Sequence, residues 1–325
     1  MPPASSWWVP RVQAVDNLPA LAPGVPVVDM SSSGTVVYAP TTAMSRLVWV
    51  SRGGTEEPLN DVLRVYMNPR VSPDGSRAVV QAGDLWIQDL ARATFTRLPL
   101  RDVVSGGFPA WTSDGRRVVY RTTGGLRFQD AYGGGQSEGV SGTSESDYPT
   151  SVTPDGETLV FMRSSQATSL DIYAVGVRDP GKARPIVETA AYEGGARVSP
   201  NGRWLSYISN ESGRNEVYLR PFPGPGRQWQ VSTEGGTQAM WNPNGKEIFY
   251  RSGNKMMVVE LSSTTSEVAL SPPRLLFERQ YAFGPGISIA NYDVTPDGQR
   301  FIMVKDESSA GRLHVVLNWF SDRRR

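Results

Sequence analysis

Polar and apolar positions follow one another along this chain in a recurring order. An apolar residue, a small polar residue, Pro or a substitute, Asp or Asn, Gly and two mostly polar residues lead into an apolar triplet. Six copies are clear: VSPDGSRAVV from Val71, WTSDGRRVVY from Trp111, VTPDGETLVF from Val152, VSPNGRWLSY from Val198, WNPNGKEIFY from Trp241 and VTPDGQRFIM from Val294. A degenerate seventh, MSSSGTVVYA, starts at Met30. Their glycines, Gly34, Gly75, Gly115, Gly156, Gly202, Gly245 and Gly298, lie forty to fifty-three residues apart. A period of this size marks a repeat architecture.

The unit reads as a hairpin corner. Pro presets φ, Asp or Asn bonds back to nearby backbone, and Gly supplies the positive φ that returns the chain. The corner acids Asp74, Asp114, Asp155 and Asp297 are therefore structural, and Asn201 and Asn244 stand in their place in two copies. A further strand follows each corner: RLVWV from Arg46, DLWIQDL from Asp84, GLRFQD from Gly125, LDIYAV from Leu170, EVYLR from Glu216, KMMVVEL from Lys255 and RLHVVLNWF from Arg312. Shorter fourth runs come after several of these, among them FTRLPL from Phe95 and RQWQVS from Arg227. The proline-rich PFPGPG at 221–226 is then the connection from a third to a fourth strand. No sustained helical period is present.

Four strands per unit with polar corners predict an all-β fold, a β-propeller of four-stranded antiparallel blades spanning 1–325 as one domain. Seven blades are favoured, with six as the runner-up if the degenerate first unit stands outside the ring. The last unit supplies three strands, so residues 1–24, which include SSWWVPRVQA, are expected to close it. Residues 321–325 form a basic tail.

Composition narrows the chemistry. Thirty-three basic residues against thirty-two acidic ones give no global case for nucleic acid or an anionic membrane surface. The absence of cysteine removes disulfides and thiolate chemistry, and a single histidine, His314, removes any multi-histidine metal set. His314 aligns with Trp86, Tyr173 and Tyr218 of other third strands, a packing position. No apolar run reaches membrane-spanning length, and the N-terminus lacks a signal-peptide pattern. No cofactor and no metal are expected, and the chain is expected to be a monomer. One literal G-x-S-x-G, at 135–139 around Ser137, lacks the strand-to-helix setting of a nucleophile elbow. SESDYP at 144–149 lacks EF-hand spacing for calcium.

The SPDG corner with strands such as LDIYAV resembles the PD40, or TolB-like, propeller repeat over nearly the whole chain. The stretch 199–259, with NYDVTPDGQRFIMVK and the terminal VVLNWF, resembles the C-terminal propeller of bacterial serine/threonine protein kinases. That resemblance implies an extracytoplasmic sensor or interaction module. No HRD, no DFG and no glycine-rich phosphate loop ahead of a strand lysine is present, so phosphoryl transfer does not carry over.

The segments leading into each first strand differ from unit to unit, and innermost strands line a propeller's channel. Their candidates are Tyr66, Asn68, Arg70, Asp147, Tyr148, Tyr192, Glu193, Arg197, Gln238, Asn291 and Asp293. Mixed charge with aromatics suits a small polar ligand, a sugar or a peptide end, or a protein partner. The leading expectation is a non-catalytic binding or sensor module. The alternative is a hydrolase or lyase using carboxylates such as Asp147 and Glu193 with Arg70 or Arg197 stabilising an anion.

Overall fold

The structure, a computed structural model, describes residues 20–21, 25–26, 28–30, 35–38, 44–100, 107–166, 169–178, 181–263, 268–284, 286, 289–307 and 314–316. The expectation of one domain over 1–325 meets a division into two compact units, 45–306 and 1–44 with 307–325. Among the described residues there is no helix, and so none that is long and apolar enough to cross a membrane.

The larger unit is a six-bladed propeller of antiparallel sheets. From the channel outward, blade I is Met67–Val71, Arg77–Ala82, Asp84–Asp89 and Phe95–Arg97; blade II is Ala110–Trp111, Arg117–Thr122, Gly125–Asp130 and Glu138–Gly139. Blade III is Asp147–Val152, Thr158–Ser165, Ser169–Gly176 and Arg184–Val187; blade IV is Glu193–Val198, Trp204–Ser209, Glu216–Pro221 and Trp229–Gln230. Blade V is Thr237–Trp241, Glu247–Ser252, Lys255–Ser263 and Arg274–Glu278, and carries an extra edge strand at Val268–Leu270. Blade VI is Tyr292–Val294 and Arg300–Asp306, completed by Ser45–Ser51 and Glu56–Pro58. PFPGPG is the third-to-fourth-strand connection of blade IV, as expected.

The blade count is thus six, not the favoured seven. RLVWV does not belong to a first blade built on Met30. It lies in Ser45–Ser51, which pairs over its whole length with Arg300–Asp306, Ser51 opposite Arg300 and Ser45 opposite Asp306. The outer places expected for residues 1–24 are therefore filled, and residues 1–19 lie outside the described residues. In the smaller unit Ala20–Leu21 pairs with Val25–Pro26. There too the degenerate repeat gives Val28–Met30 and Val36–Tyr38, which form a three-stranded sheet with His314–Val316. His314 is accordingly not in a blade, and the basic tail lies outside the described residues.

Packing explains why the apolar triplets recur. Each blade buries both faces against its neighbours, and the core divides into six clusters, one per blade junction. In blade V, Ile248 and Tyr250 face blade IV while Phe249 faces blade VI, where its ring meets Phe301 edge-on at 5.0 Å. Period-two alternation normally sends every second residue to water. Here both sets meet another sheet, so the second strands read as unbroken apolar runs.

The corners behave as the repeat implies. In blade I, Ser72 Oγ donates to Asp74 Oδ1 (2.6 Å), and Asp74 Oδ1 accepts from the Ser76 amide (3.0 Å). The same pattern holds at Thr112–Asp114, Thr153–Asp155 and Thr295–Asp297, where the hydroxyl is the main cause holding each carboxyl below its ordinary range. Corner glycines have φ between 66° and 75°. They also let successive corners touch: a Cβ at Gly75 would lie 3.1 Å from Pro296, and one at Gly115 would lie 3.3 Å from Pro73. The tightest approach is at Gly298, where a Cβ would lie 2.4 Å from Asn242 Oδ1, whereas at Gly245 the nearest atom is 3.9 Å away. Asn242 cannot swing aside freely, because it donates to Glu247 (2.6 Å) and accepts from the Asn244 amide (3.1 Å).

Two measurements check this account. Gly298→Ala and Gly245→Ala share the left-handed backbone cost of about 1 kcal/mol, so chemical denaturation is expected to show Gly298→Ala as clearly the more destabilising; equal losses would refute the corner-contact explanation. Leu47, fully buried in the closing strand, is expected to cost about 2–5 kcal/mol when changed to Ala, and a loss below this range would mean the strand does not hold the ring.

Candidate functional site

The channel is built from one register position. In every blade the penultimate residue of the innermost strand lines the cavity: Arg70, Ala110, Ser151, Arg197, Met240 and Asp293, with Ala110 and Met240 also packed in the junction cores. With Val71, Trp111, Thr150, Val152, Val198 and Trp241, they line a cavity of about 190 Å³. Register shifts lie just ahead of this position in blades I, III, IV and V. Asn68 (φ 51°), Gly195 (φ 61°) and Gln238 (φ 55°) turn the strand there. A bulge re-aims the side chains that follow it. Asn68 and Gln238 hold a backbone conformation that few non-glycine residues adopt, a feature common where structure serves a site.

Neighbouring blades are tied through the same level, and the ties repeat after half a turn. Arg70 Nη1 donates to the Tyr292 carbonyl (3.2 Å), the Val71 amide to Asp293 Oδ2 (2.7 Å) and Trp111 Nε1 to the Arg70 carbonyl (2.8 Å). Three blades on, Arg197 Nη1 donates to the Thr150 carbonyl, the Val198 amide to Ser151 Oγ (3.3 Å) and Trp241 Nε1 to the Arg197 carbonyl (3.1 Å). Arg70 and Arg197 therefore stand on opposite blades of the ring, in matching settings. Asp293 beside Arg70 corresponds to Ser151 beside Arg197.

Charge at this level is poorly compensated. Arg70 is 4 % exposed and its Nε has no hydrogen-bond partner. Burial, then the like charge of Arg197, pushes its guanidinium down to about 9, still cationic at neutral pH. Burial lowers Arg197 as well. Asp293 spends its oxygens on the backbone amides of Val71 (2.7 Å) and Val294 (2.8 Å); burial raises its carboxyl while both arginines draw it down. Among the described residues no carboxylate makes an ion pair with either channel arginine.

The other candidates sit elsewhere. Asn68, Gln238 and Asn291 occupy the register two residues upstream, where they link blades: Gln238 Oε1 accepts from the Asn291 amide (3.4 Å) and Asn291 Oδ1 from the Asn68 amide (2.8 Å). Tyr66 is core, with its hydroxyl donated to the Val62 carbonyl (3.0 Å). Asp147 is fully buried in a two-pronged pair with Arg163 (2.7 Å for each contact) and accepts from the Ser144 amide (2.7 Å). Tyr148 packs edge-on to Phe108 (5.2 Å) under Arg121, and the Tyr192 amide donates to Asn210 (2.9 Å). Glu193 is buried and accepts from the Thr189 hydroxyl, leaving Oε2 without a partner. Ser137 of the G-x-S-x-G match accepts from Arg127 (2.9 Å) beside an outer strand, with no helix following. Among the described residues no group of three or more His, Asp or Glu gathers as a metal set.

The structure thus brings Arg70, Arg197 and Asp293 together around one cavity, and neither Asp147 nor Glu193 lines it. Ala110, Ser151 and Met240 were missed because they carry no conspicuous chemistry. Their signal was positional: each stands two residues before the Ser, Thr or Asn that opens a corner.

The fold is that of a TolB-like β-propeller. No family model matches the chain, and no curated protein matches it. Among solved structures it is similar to a putative TolB from Agrobacterium tumefaciens, with TM-score 0.65 and 16% identity, covering 83% of this chain and 100% of that one. It is similar to hydrazine synthase of Kuenenia stuttgartiensis, with TM-score 0.54 and 14% identity over 96% and 99%. It is also similar to an oligogalacturonate lyase from Vibrio parahaemolyticus, with TM-score 0.52 and 12% identity over 89% and 81%. At such identities the likeness is one of fold.

Glu193 generates a pH prediction. Burial holds its carboxyl above the ordinary range against the Thr189 bond, with Asp171 and Glu211 adding like charge. The unfolded chain releases this proton first, so the contribution to stability is full below the ordinary carboxylate range and falls as pH rises from there through the raised folded value. Glu193→Gln keeps the side chain neutral. It is expected to raise Tm at about pH 7 and to lose that advantage by about pH 4; a variant less stable at neutral pH would show that the carboxylate is wanted there.

Proposed function

We propose that this chain is a non-catalytic binding propeller that captures a small polar ligand in its central channel. The observation that supports this reading is the ring at one register, with the buried Arg70 and the part-buried Arg197 lining a cavity and neither in an ion pair among the described residues. A buried charge without a partner is expensive, and a ligand that enters can repay that cost. The resemblance of 199–259 to kinase-attached propellers favours a sensor role, outside the cytoplasm, with the captured ligand or a partner protein as the signal. The chain acts as a monomer in this reading, without nucleic acid and without a cofactor. The enzyme reading needed Asp147 and Glu193 to converge on a substrate; Asp147 is held by Arg163, and neither lines this cavity.

A thermal-shift screen of sugars, dipeptides and organic acids, followed by calorimetry, tests this. Compounds that stabilise the protein are expected to be recovered unchanged, and to bind at least about tenfold more weakly to Met240→Trp, which fills the cavity by more than one methylene. Ala110→Leu is the second blocking variant should the first fold poorly. Binding that survives both substitutions, turnover of the compound, or a screen without any stabilising compound would each overturn the reading.

A further inference from the structure

Across the half-turn the charge differs at one pair, Asp293 against Ser151; Ala110 and Met240 also differ but carry no charge. Arg70 has Asp293 at its side, whose carboxylate is fixed by the Val71 amide at 2.7 Å. Arg197 has Ser151 in the matching place, whose hydroxyl oxygen takes the Val198 amide at 3.3 Å. The ring therefore carries two guanidiniums and one carboxylate, and it is short of one negative charge on the side of blades III and IV. The cavity of about 190 Å³ has room for roughly six waters at liquid density, hence for a compound of a few heavy atoms.

We propose that the channel binds a small monoanionic carboxylate, seated on the Arg197 guanidinium beside Ser151, where the other half of the ring holds its own Asp293. The assignment rests on the channel-binding reading above. A guanidinium presents parallel N–H donors that match a carboxylate's two oxygens, and Arg197 commits Nη1 to the Thr150 carbonyl, which fixes the side chain's direction. The Ser151 hydroxyl, already an acceptor, has its proton free to donate to an anion oxygen. Arg70, 4 % exposed with an unpartnered Nε, adds attraction from across the cavity. A dianion would exceed the single missing charge and would meet Asp293, so the pocket selects one charge.

The probe is glycolate, with its neutral isostere glycolamide and inorganic phosphate as comparison arms, titrated by calorimetry into the full chain. Glycolate is expected to bind at least tenfold more tightly than glycolamide, and more tightly than phosphate at a pH where phosphate is a dianion. Arg197→Gln is expected to weaken glycolate by roughly 10- to 100-fold, the range for a charge-assisted contact, and Arg197→Lys to restore part of that loss. Ser151→Asp is the decisive variant. It completes the correspondence by giving Arg197 a built-in carboxylate, so it should raise the Tm of the ligand-free protein while reducing glycolate affinity at least tenfold.

Equal binding of glycolate and glycolamide, tighter binding of dianionic phosphate, or unchanged glycolate affinity in both Arg197→Gln and Ser151→Asp would overturn the carboxylate assignment. If a neutral compound binds and Met240→Trp removes it, the channel reading survives and only the ligand class fails. If glycolate binds equally well to Met240→Trp, the channel reading itself fails.

Discussion

The propeller depends on one antiparallel pairing, that of Arg300–Asp306 with Ser45–Ser51. A ring of sheets gains its apolar contacts junction by junction, and the sixth junction exists only when the two ends of the ring are joined. Here the join lies inside a blade: blade VI takes its two inner strands from the end of the repeat and its two outer strands from the beginning. Leu47, Val48 and Val50 bring the closing strand's apolar side chains into the cores shared with blades I and V. Contacts so far apart in sequence are costly in chain entropy, and they are recovered only when the whole circle is present. That pairing puts the closure inside a four-stranded blade and not at a gap between blades.

The corners add a second circular constraint that the repeat motif hides. Positive φ would by itself account for the glycine. Contact between successive corners adds a steric reason, since the proline of one corner packs where a side chain of the next would be, as at Gly75 with Pro296 and Gly115 with Pro73. At the last step the proline's place is taken by Asn242 against Gly298, the closest of these approaches. Motif conformity and ring closure are thus the same physical requirement seen at two scales.

Local patterning made the corners, the second and third strands and the four-stranded blade legible, because each is decided within about a dozen residues by turn chemistry and alternation. Blade number was less legible, because it is decided by which segments meet. MSSSGTVVYA has the spacing of a blade start, yet Val36–Tyr38 pairs with Val28–Met30 on one side and His314–Val316 on the other, and nothing local to Met30 distinguishes the two outcomes. The same limit applied to the site. Arg70, Arg197 and Asp293 drew notice because they are charged in variable segments. Ser151 did not, although the repeat places it at the same register. Tyr66, Asp147 and Glu193 drew notice for equally good chemical reasons, but bulges and hairpin geometry send them into the blades. Chemistry identifies candidates, whereas register decides which of them share a space.

Register also explains why a repetitive fold can carry a specific site. Six copies of one unit put six side chains at one level of the channel, and if all six were alike the level would have no direction. This chain keeps arginine in two opposite copies, and both guanidiniums use the same backbone tie to the preceding blade. It then varies the residue beside each arginine. Asp293 puts a carboxyl beside Arg70, whereas Ser151 puts a hydroxyl beside Arg197. Both arginines are held by the same backbone tie, and the residue beside each, Asp293 or Ser151, makes the two settings differ. Function in such a fold is read from the mismatch between copies, which is a property of no single repeat.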